Sequence, residues 1–137
     1  MYLIDTNVIS ELMRPVPNAG VLAWLDSHHP LYISSITQAE LLFGVYRMAE
    51  SKRKTAYLAA LQEMFEQDFI GRIIGFDTAC TTAYAEICCR RFAVGKPIHT
   101  ADAQIAAIAL TYGMCLTTRN TKDFTDIDGL TLINPFV

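Results

Sequence analysis

The sequence predicts a single three-layer α/β/α domain, residues 1–137, built on a parallel sheet of four or five strands. Three observations carry that expectation. Short apolar runs alternate with longer segments whose apolar residues recur at helical spacing, the pattern of strand–helix–strand crossovers. The first run, Tyr2-Leu3-Ile4, passes straight into Asp5 and two small polar residues, which is how a buried strand hands over to a helix in an open α/β sheet. Finally, 137 residues with 52% apolar and 18% charged content are enough for one generous core or a core plus a sizeable apolar interface.

Each element follows from local chemistry. After the first strand, Val8 to Met13 reads as a short helix stopped before Pro15, with Pro17 confirming the break. Asn18 caps a second helix, with Val21, Leu22 and Leu25 on one face, ending near His28. Leu31-Tyr32-Ile33 is the next strand. Thr37-Gln38-Ala39-Glu40 reads as a capping box opening a third helix, whose apolar face is Leu41, Leu42, Val45 and Met48. Ser51 starts a fourth, with Leu58, Leu61, Met64, Phe65 and Phe69 at helical spacing. No strand signal separates these two helices, so they are expected to form a hairpin that stands apart from the sheet or packs along its edge. Arg72 to Phe76 is a third strand. Asp77 caps a helix running to about Phe92, broken by Gly95, Lys96 and Pro97. Thr100 caps the last helix, Ala101 to Tyr112, and Met114–Thr117 and Leu130–Ile133 supply the remaining strands. The alternation implies parallel pairing through right-handed crossovers, with no repeat or linker to suggest a second domain.

Composition narrows the function classes. The most apolar run, Ile105 to Leu110, is far too short to span a bilayer, and the start of the chain, with an acid at position 5 and no basic stretch, does not read as a secretion signal. A cytoplasmic protein without a membrane partner is expected. Cys80, Cys88, Cys89 and Cys115 lack metal-ligand spacing and read as buried, reduced thiols. His28, His29 and His99 read as capping or surface residues. The net charge of −3 argues at first against a polyanionic substrate. Setting aside Asp5, Glu40, Asp102 and Asp123, however, leaves ten acids against eleven bases. Arg47, Lys52, Arg53 and Lys54 cluster in one stretch, and Arg90 with Arg91 in another; each cluster reads equally as a solvated helix face or as a nucleic-acid contact.

The four acids set aside fall near strand ends or helix starts. Glu40 could simply complete its capping box, Asp102 could favour a helix N-terminus, and Asp123 could belong to a polar turn. Asp5 has no such local explanation. A doubly wound sheet could bring all four to its carboxyl edge, where clustered carboxylates repel one another unless a hard divalent cation joins them. No glycine-rich phosphate loop, dinucleotide fingerprint or nucleophile elbow occurs, which leaves metal-assisted hydrolysis.

Longer stretches are recognisable. Leu3-Ile4-Asp5-Thr6-Asn7-Val8-Ile9-Ser10-Glu11-Leu12, Ile36-Thr37-Gln38-Ala39-Glu40-Leu41 with Gly44, and Ile98-His99-Thr100-Ala101-Asp102-Ala103-Gln104-Ile105-Ala106 come in that order. Leu116-Thr117-Thr118-Arg119-Asn120-Thr121-Lys122-Asp123-Phe124 and the closing Leu132-Ile133-Asn134-Pro135-Phe136 complete the set. On these stretches the whole chain resembles the PIN-domain family, and within it the VapC-type, FitB-like ribonuclease toxins of bacterial toxin–antitoxin pairs.

The resemblance implies a PIN-like fold and an Mg²⁺-dependent endoribonuclease in which Mn²⁺ can substitute. It makes Asp5, Glu40, Asp102 and Asp123 the acidic quartet, with Asp5 and Asp102 the firmest metal ligands. Thr6, Asn7 and Thr118 would orient ligands and water, and Asn120 would assist. Asp126 or Asp128 could share the part of Asp123, although the motif register favours Asp123. The resemblance also implies RNA as substrate, products with 5′-phosphate and 3′-hydroxyl ends, and a homodimer able to join a larger assembly. A cognate antitoxin would lay a peptide over the site. Two rivals remain. One is a phosphatase of the haloacid-dehalogenase kind, which also opens on a strand ending in Asp but needs a second acid where this chain has Asn7. The other is a PIN-fold module that binds without catalysis.

Overall fold

The computed structural model describes residues 1–137. Five strands, β1 (Tyr2–Ile4), β2 (Leu31–Ser34), β3 (Ile73–Ile74), β4 (Cys115–Thr117) and β5 (Leu132–Ile133), form one parallel sheet in the order β3-β2-β1-β4-β5. β1 lies in the middle, with Tyr2 in register with Leu31 on one side and Cys115 on the other. The chain builds outward from β1 through β2 to β3, then crosses back to add β4 and β5. The strand order therefore reverses between β1 and β4, and a crevice opens at their carboxyl ends. Both edge strands are two residues long, shorter than the sequence pattern implies, which leaves little unpaired backbone to recruit another chain.

Six helices cover the sheet: α1 (Thr6–Leu12), α2 (Ala19–Ser27), α3 (Ser35–Tyr46), α4 (Lys52–Glu63), α5 (Thr81–Ala93) and α6 (Thr100–Thr111). Successive strand residues point to opposite faces, and the core divides accordingly. Leu3 and Leu116 pack with α5 and α6, through Ile87 and the buried run Ala103 to Ala109. Ile4 and Ile33 pack with α1 to α4, through Val8, Ile9, Val21, Leu25, Leu41, Val45 and Leu61. The expected three layers are thus present. No helix is long and apolar enough to cross a membrane.

Several details differ from the sequence reading. The α3–α4 hairpin neither stands apart nor merely lines an edge: Leu61 is fully buried, and Phe65 and Phe69 join the same core through a π-helical turn at Met64–Asp68. The capping box at Thr37 does not form. Ser34, the last residue of β2, accepts from the Thr37 amide at 3.0 Å, so α3 begins directly at the strand end and Glu40 falls in its second turn. α6 starts from His99, without a side-chain cap, and Thr100 is its first residue. Asp77 opens a 3₁₀ turn, Thr78–Cys80, and accepts from the Cys80 thiol and the Tyr112 hydroxyl. All four cysteines are free, but only Cys80 is buried: Cys88 and Cys115 are half-buried and Cys89 is exposed. Of the pair Arg90 and Arg91, the second is buried at 6% exposure and so belongs to no solvated face.

Candidate functional site

The site grows from the end of β1. The amide of Asp5 donates to Thr117 O at 2.9 Å, which keeps β1 and β4 joined up to the residue where α1 begins. Asp5 is the N-cap of α1, its Oδ1 accepting from the Thr6 amide at 2.8 Å, so it does have a local role that the sequence did not reveal. Its second oxygen accepts from the Thr118 hydroxyl at 2.7 Å and from Asn7 Nδ2 at 3.2 Å. Asn7 also accepts the Arg119 amide at 3.0 Å, and Thr118 Oγ1 accepts the Asn120 amide at 3.1 Å. These bonds lock the α1 start to the β4 exit and orient one carboxylate at the crevice. Burial pushes the Asp5 carboxyl above its ordinary range and Glu40 adds to the rise, while the bonds from Thr118, Thr6 and Asn7 pull it down.

The other three acids arrive on separate elements. Glu40, exposed on α3, accepts from the Thr6 hydroxyl at 2.7 Å, and that hydroxyl lies 3.0 Å from the buried Thr37 hydroxyl. Asp102 stands in the first turn of α6. Its carboxyl rises from the ordinary 3.8 to about 6, first through burial and then through the facing charges of Asp5, Asp123 and Glu40. Asp123 lies in a 3₁₀ turn, Thr121–Phe124, pinned into the core by Phe124.

Asp5, Thr6, Asn7, Ser10, Glu40, Asp102, Asn120, Asp123 and Phe124 line one cleft. It thus holds all four acids singled out from the sequence, and no Lys or Arg among its walls. Thr118 sits behind Asp5 as a buried support. Asp126 and Asp128 line a different pocket with Glu86 and Arg90, so of the three neighbouring acids only Asp123 faces the cleft. Ser10 was not singled out in the sequence. It follows Thr6 by one helical turn, a spacing that places it on the same face of α1.

The donor set is chemically hard: carboxylate, hydroxyl and amide oxygen, without cysteine. No group of three His, Cys, Asp or Glu side chains converges tightly enough to cage an ion unaided. That geometry does not fit a closed tetrahedral zinc site. An open set of oxygen donors suits a hard divalent cation whose shell is completed by water.

An apolar groove adjoins the cleft and shares Thr6, Ser10 and Glu40 with it, bounded further by Met13, Leu41, Val45, Met48, Arg53, Tyr57 and Leu61. Of the basic stretch, only Arg53 lines this groove. Lys54 is engaged with Glu50 at 2.6 Å and Tyr46 O at 3.0 Å, and Arg47 stands over the Phe43 ring at 5.6 Å. Lys52 is exposed at the start of α4.

Fold and cleft together define a class: small doubly wound α/β proteins with an acidic, base-free cleft at the point where the strand order reverses. Comparison with known proteins narrows the class to a family. The PIN domain matches residues 2–130, and the chain belongs to the PIN-domain family. It is 45% identical to the plasmid stability protein StbB of Pseudomonas syringae pathovar tomato, over 99% of both chains. It is 40% identical to the VapC ribonuclease Y4jK of Sinorhizobium fredii, over 99% of this chain and 98% of that one. Its fold superposes on the crystal structure of FitAcB from Neisseria gonorrhoeae with a TM-score of 0.87, at 42% identity over 99% of both chains.

Proposed function

We propose that this chain is an Mg²⁺-dependent endoribonuclease, with Mn²⁺ able to substitute, and the toxin of a toxin–antitoxin pair. One observation carries the reading: acids from four separate parts of a PIN-domain chain line a single cleft that contains no base. Carboxylates so placed are destabilising by themselves and become favourable around a divalent cation.

The residues present fit that ion. Asp5 and Asp102 would be its principal ligands, with Glu40 and Asp123 completing the set directly or through water. When bound, the ion supplies Lewis acidity to a phosphodiester oxygen and acidifies a water for attack, leaving 5′-phosphate and 3′-hydroxyl ends. The chain's own contribution is orientation. Thr118 and Asn7 fix the second oxygen of Asp5, Thr6 fixes Glu40, and Asn120 stands at the rim. Arg53, together with Lys52 and Arg47, would guide the RNA backbone past the acids, a role from which Lys54 is withdrawn by its ion pair.

The relatives support this reading: one is a VapC ribonuclease, and the similar FitAB has been solved bound to a DNA fragment. The reading includes a cognate antitoxin whose peptide enters the groove beside Glu40, a homodimer, and action in the cytoplasm. A phosphatase using Asp5 as nucleophile is disfavoured by Asn7, whose amide is committed to Asp5 and Arg119 and cannot act as an acid.

The test is cleavage of single-stranded RNA by protein cleared of host nucleases, with and without Mg²⁺ or Mn²⁺. Asp5→Asn, Glu40→Gln and Asp102→Asn should each fold and lose activity by orders of magnitude, with double variants little worse than single ones. Full activity in folded Asp5→Asn would sink the proposal. An aspartyl-phosphate trapped on Asp5 would favour the phosphatase, and neither metal binding nor turnover would leave a binding module.

A further inference from the structure

One cation is buried beside the cleft without an acid partner. Arg91, on α5, is 6% exposed, and the ion pairs of the chain are Glu11–Arg14, Glu50–Lys54 and Lys96–Asp126, none of them its own. A buried charge of this kind persists only where dipoles satisfy it. Arg91 Nε donates to Lys96 O at 2.7 Å, and Nη1 donates to Asp123 O at 2.8 Å and to Thr125 O at 3.3 Å. Its own carbonyl accepts from the Lys96 amide at 2.9 Å, a helix-ending bond that Gly95 permits by adopting φ 75°. Arg91 therefore grips residue 96 from both its backbone and its side chain.

The three carbonyls belong to two different segments. Lys96 opens the loop through Pro97, Ile98 and His99 into α6, whose first turn carries Asp102. Asp123 and Thr125 belong to the turn that follows β4. Arg91, Ile98, His99, Asp102 and Asp123 line one small crevice beside the acidic cleft. The two segments present carboxylates to the same cleft, and like charges so placed oppose its closure. Across them the surface offers Lys96 Nζ to Asp126 at 3.5 Å, an exposed pair of little strength. Phe124 packs against α6 in the core, and the interior polar tie is the guanidinium.

We propose that Arg91 is a positioning residue that braces the Asp102 loop and the Asp123 turn against their mutual repulsion, so that both acids serve one ion. The inference rests on the metal-site reading above. It also explains why the residue is arginine. A planar fork with donors at both Nε and the Nη atoms reaches carbonyls on two segments, whereas a lysine ammonium donates from a single point.

The test compares Arg91→Lys, which keeps the charge but loses the span, with Asp123→Asn and with the double variant. Mn²⁺ affinity is measured by calorimetry on the full chain, and RNA cleavage in parallel. Arg91→Lys should weaken Mn²⁺ binding by ~10-fold or more, as loss of a support behind a metal ligand does. In the Asp123→Asn background the same change should weaken it little further, because the brace acts through the residue already disabled. A general loss of structure would instead give the same penalty in both backgrounds, and that result overturns the inference. So does wild-type Mn²⁺ affinity in Arg91→Lys.

Should Arg91→Lys fail to fold, Gly95→Ala applies the same test from the surface. A Cβ there meets nothing within 4 Å, so its effect is confined to straining the φ that brings Lys96 to Arg91. It should weaken Mn²⁺ binding several-fold in the wild-type background and little in Asp123→Asn; equal penalties overturn the inference. A wild-type protein that neither binds Mn²⁺ nor cuts RNA overturns the functional reading and the brace with it. Arg91→Lys with normal affinity beside a crippled Asp123→Asn overturns the brace alone.

Discussion

Asp102→Asn should make the metal-free protein more stable and the metal-loaded protein less so. The carboxyl of Asp102 rises from 3.8 to about 6 through burial and through three facing acids. Because the folded value lies above the unfolded one, the ionised side chain opposes folding. That opposition is absent below pH ~4, grows between ~4 and ~6, and is complete at pH 7. Taken whole, the rise corresponds to ~3 kcal/mol. The side chain is half-buried, and solvent screening reduces this to ~1–1.5 kcal/mol. Against it stands the favourable charge of an acid in the first turn of α6, worth ~0.3–1 kcal/mol and lost with the substitution. Burial and repulsion together win by ~0.5 kcal/mol, which for a domain of this size raises Tm by ~2 °C. Mn²⁺ at ten times its Kd stabilises the wild type by ~1.4 kcal/mol and the variant hardly at all, so the order reverses. Thermal melts followed by circular dichroism, at pH 7 in chelator and in Mn²⁺, decide the matter, and near pH 4 in chelator the variant's advantage should disappear. A variant that melts below wild type in chelator at pH 7, or gains as much from Mn²⁺, would refute the reasoning.

Three other changes probe the scaffold. Leu61→Ala should cost ~3 kcal/mol in denaturant unfolding, because Leu61 is fully buried among both helices of the hairpin and the sheet; a loss below ~1 kcal/mol would mean that α4 packs loosely. Thr117→Val should leave stability unchanged or raise it by up to ~1 kcal/mol, since Thr117 Oγ1 is buried without a partner, and a drop in Tm would reveal a bond to that hydroxyl. Arg53→Glu should weaken RNA binding and flatten its salt dependence, whereas Lys54→Met should leave the salt slope alone and lower stability through its lost bonds to Glu50 and Tyr46; equal slopes for both variants would remove Arg53 from the RNA path.

What the sequence disclosed and what it hid follow from the range of the interactions involved. The alternation of apolar runs and the exit of β1 into Asp5-Thr6-Asn7 are local signals, and they were enough to place five strands and the carboxyl edge of the sheet. The capping box at Thr37 was misread because Ser34 offers an equivalent hydroxyl one turn earlier, and only the strand end determines which is used. That error had concealed the strongest argument for Glu40, which caps nothing and instead meets Thr6. Arg91 was misread for the opposite reason. Beside Arg90 it looks like half of a charged surface, and its burial comes from carbonyls some thirty residues further along, at Asp123 and Thr125. Likewise the hairpin was expected at the margin because periodicity shows which face of a helix is apolar, not what covers it.

Asp5 shows why the choice of substitution decides what can be learned. The residue caps α1 through Oδ1 and presents Oδ2 to Thr118 and Asn7. Alanine would remove the cap, at ~1 kcal/mol, and strand two donors, so an inactive alanine variant could be merely misfolded. Asparagine is as good a cap, and its carbonyl can keep the Thr6 bond. Its Nδ2 would then face the Thr118 hydroxyl, whose oxygen can accept it only by giving up the bond from Asn7 Nδ2, and the Asn7 amide, which cannot accept. Two bonds of the Asn7 amide are lost, worth ~2 kcal/mol together, while the cost of holding a buried anion is lifted. The two effects are of similar size and opposite sign, so Asp5→Asn should melt within a few degrees of wild type. A large loss of RNA cleavage in a protein that stable then reports the missing charge, and with it the ion that the charge would hold.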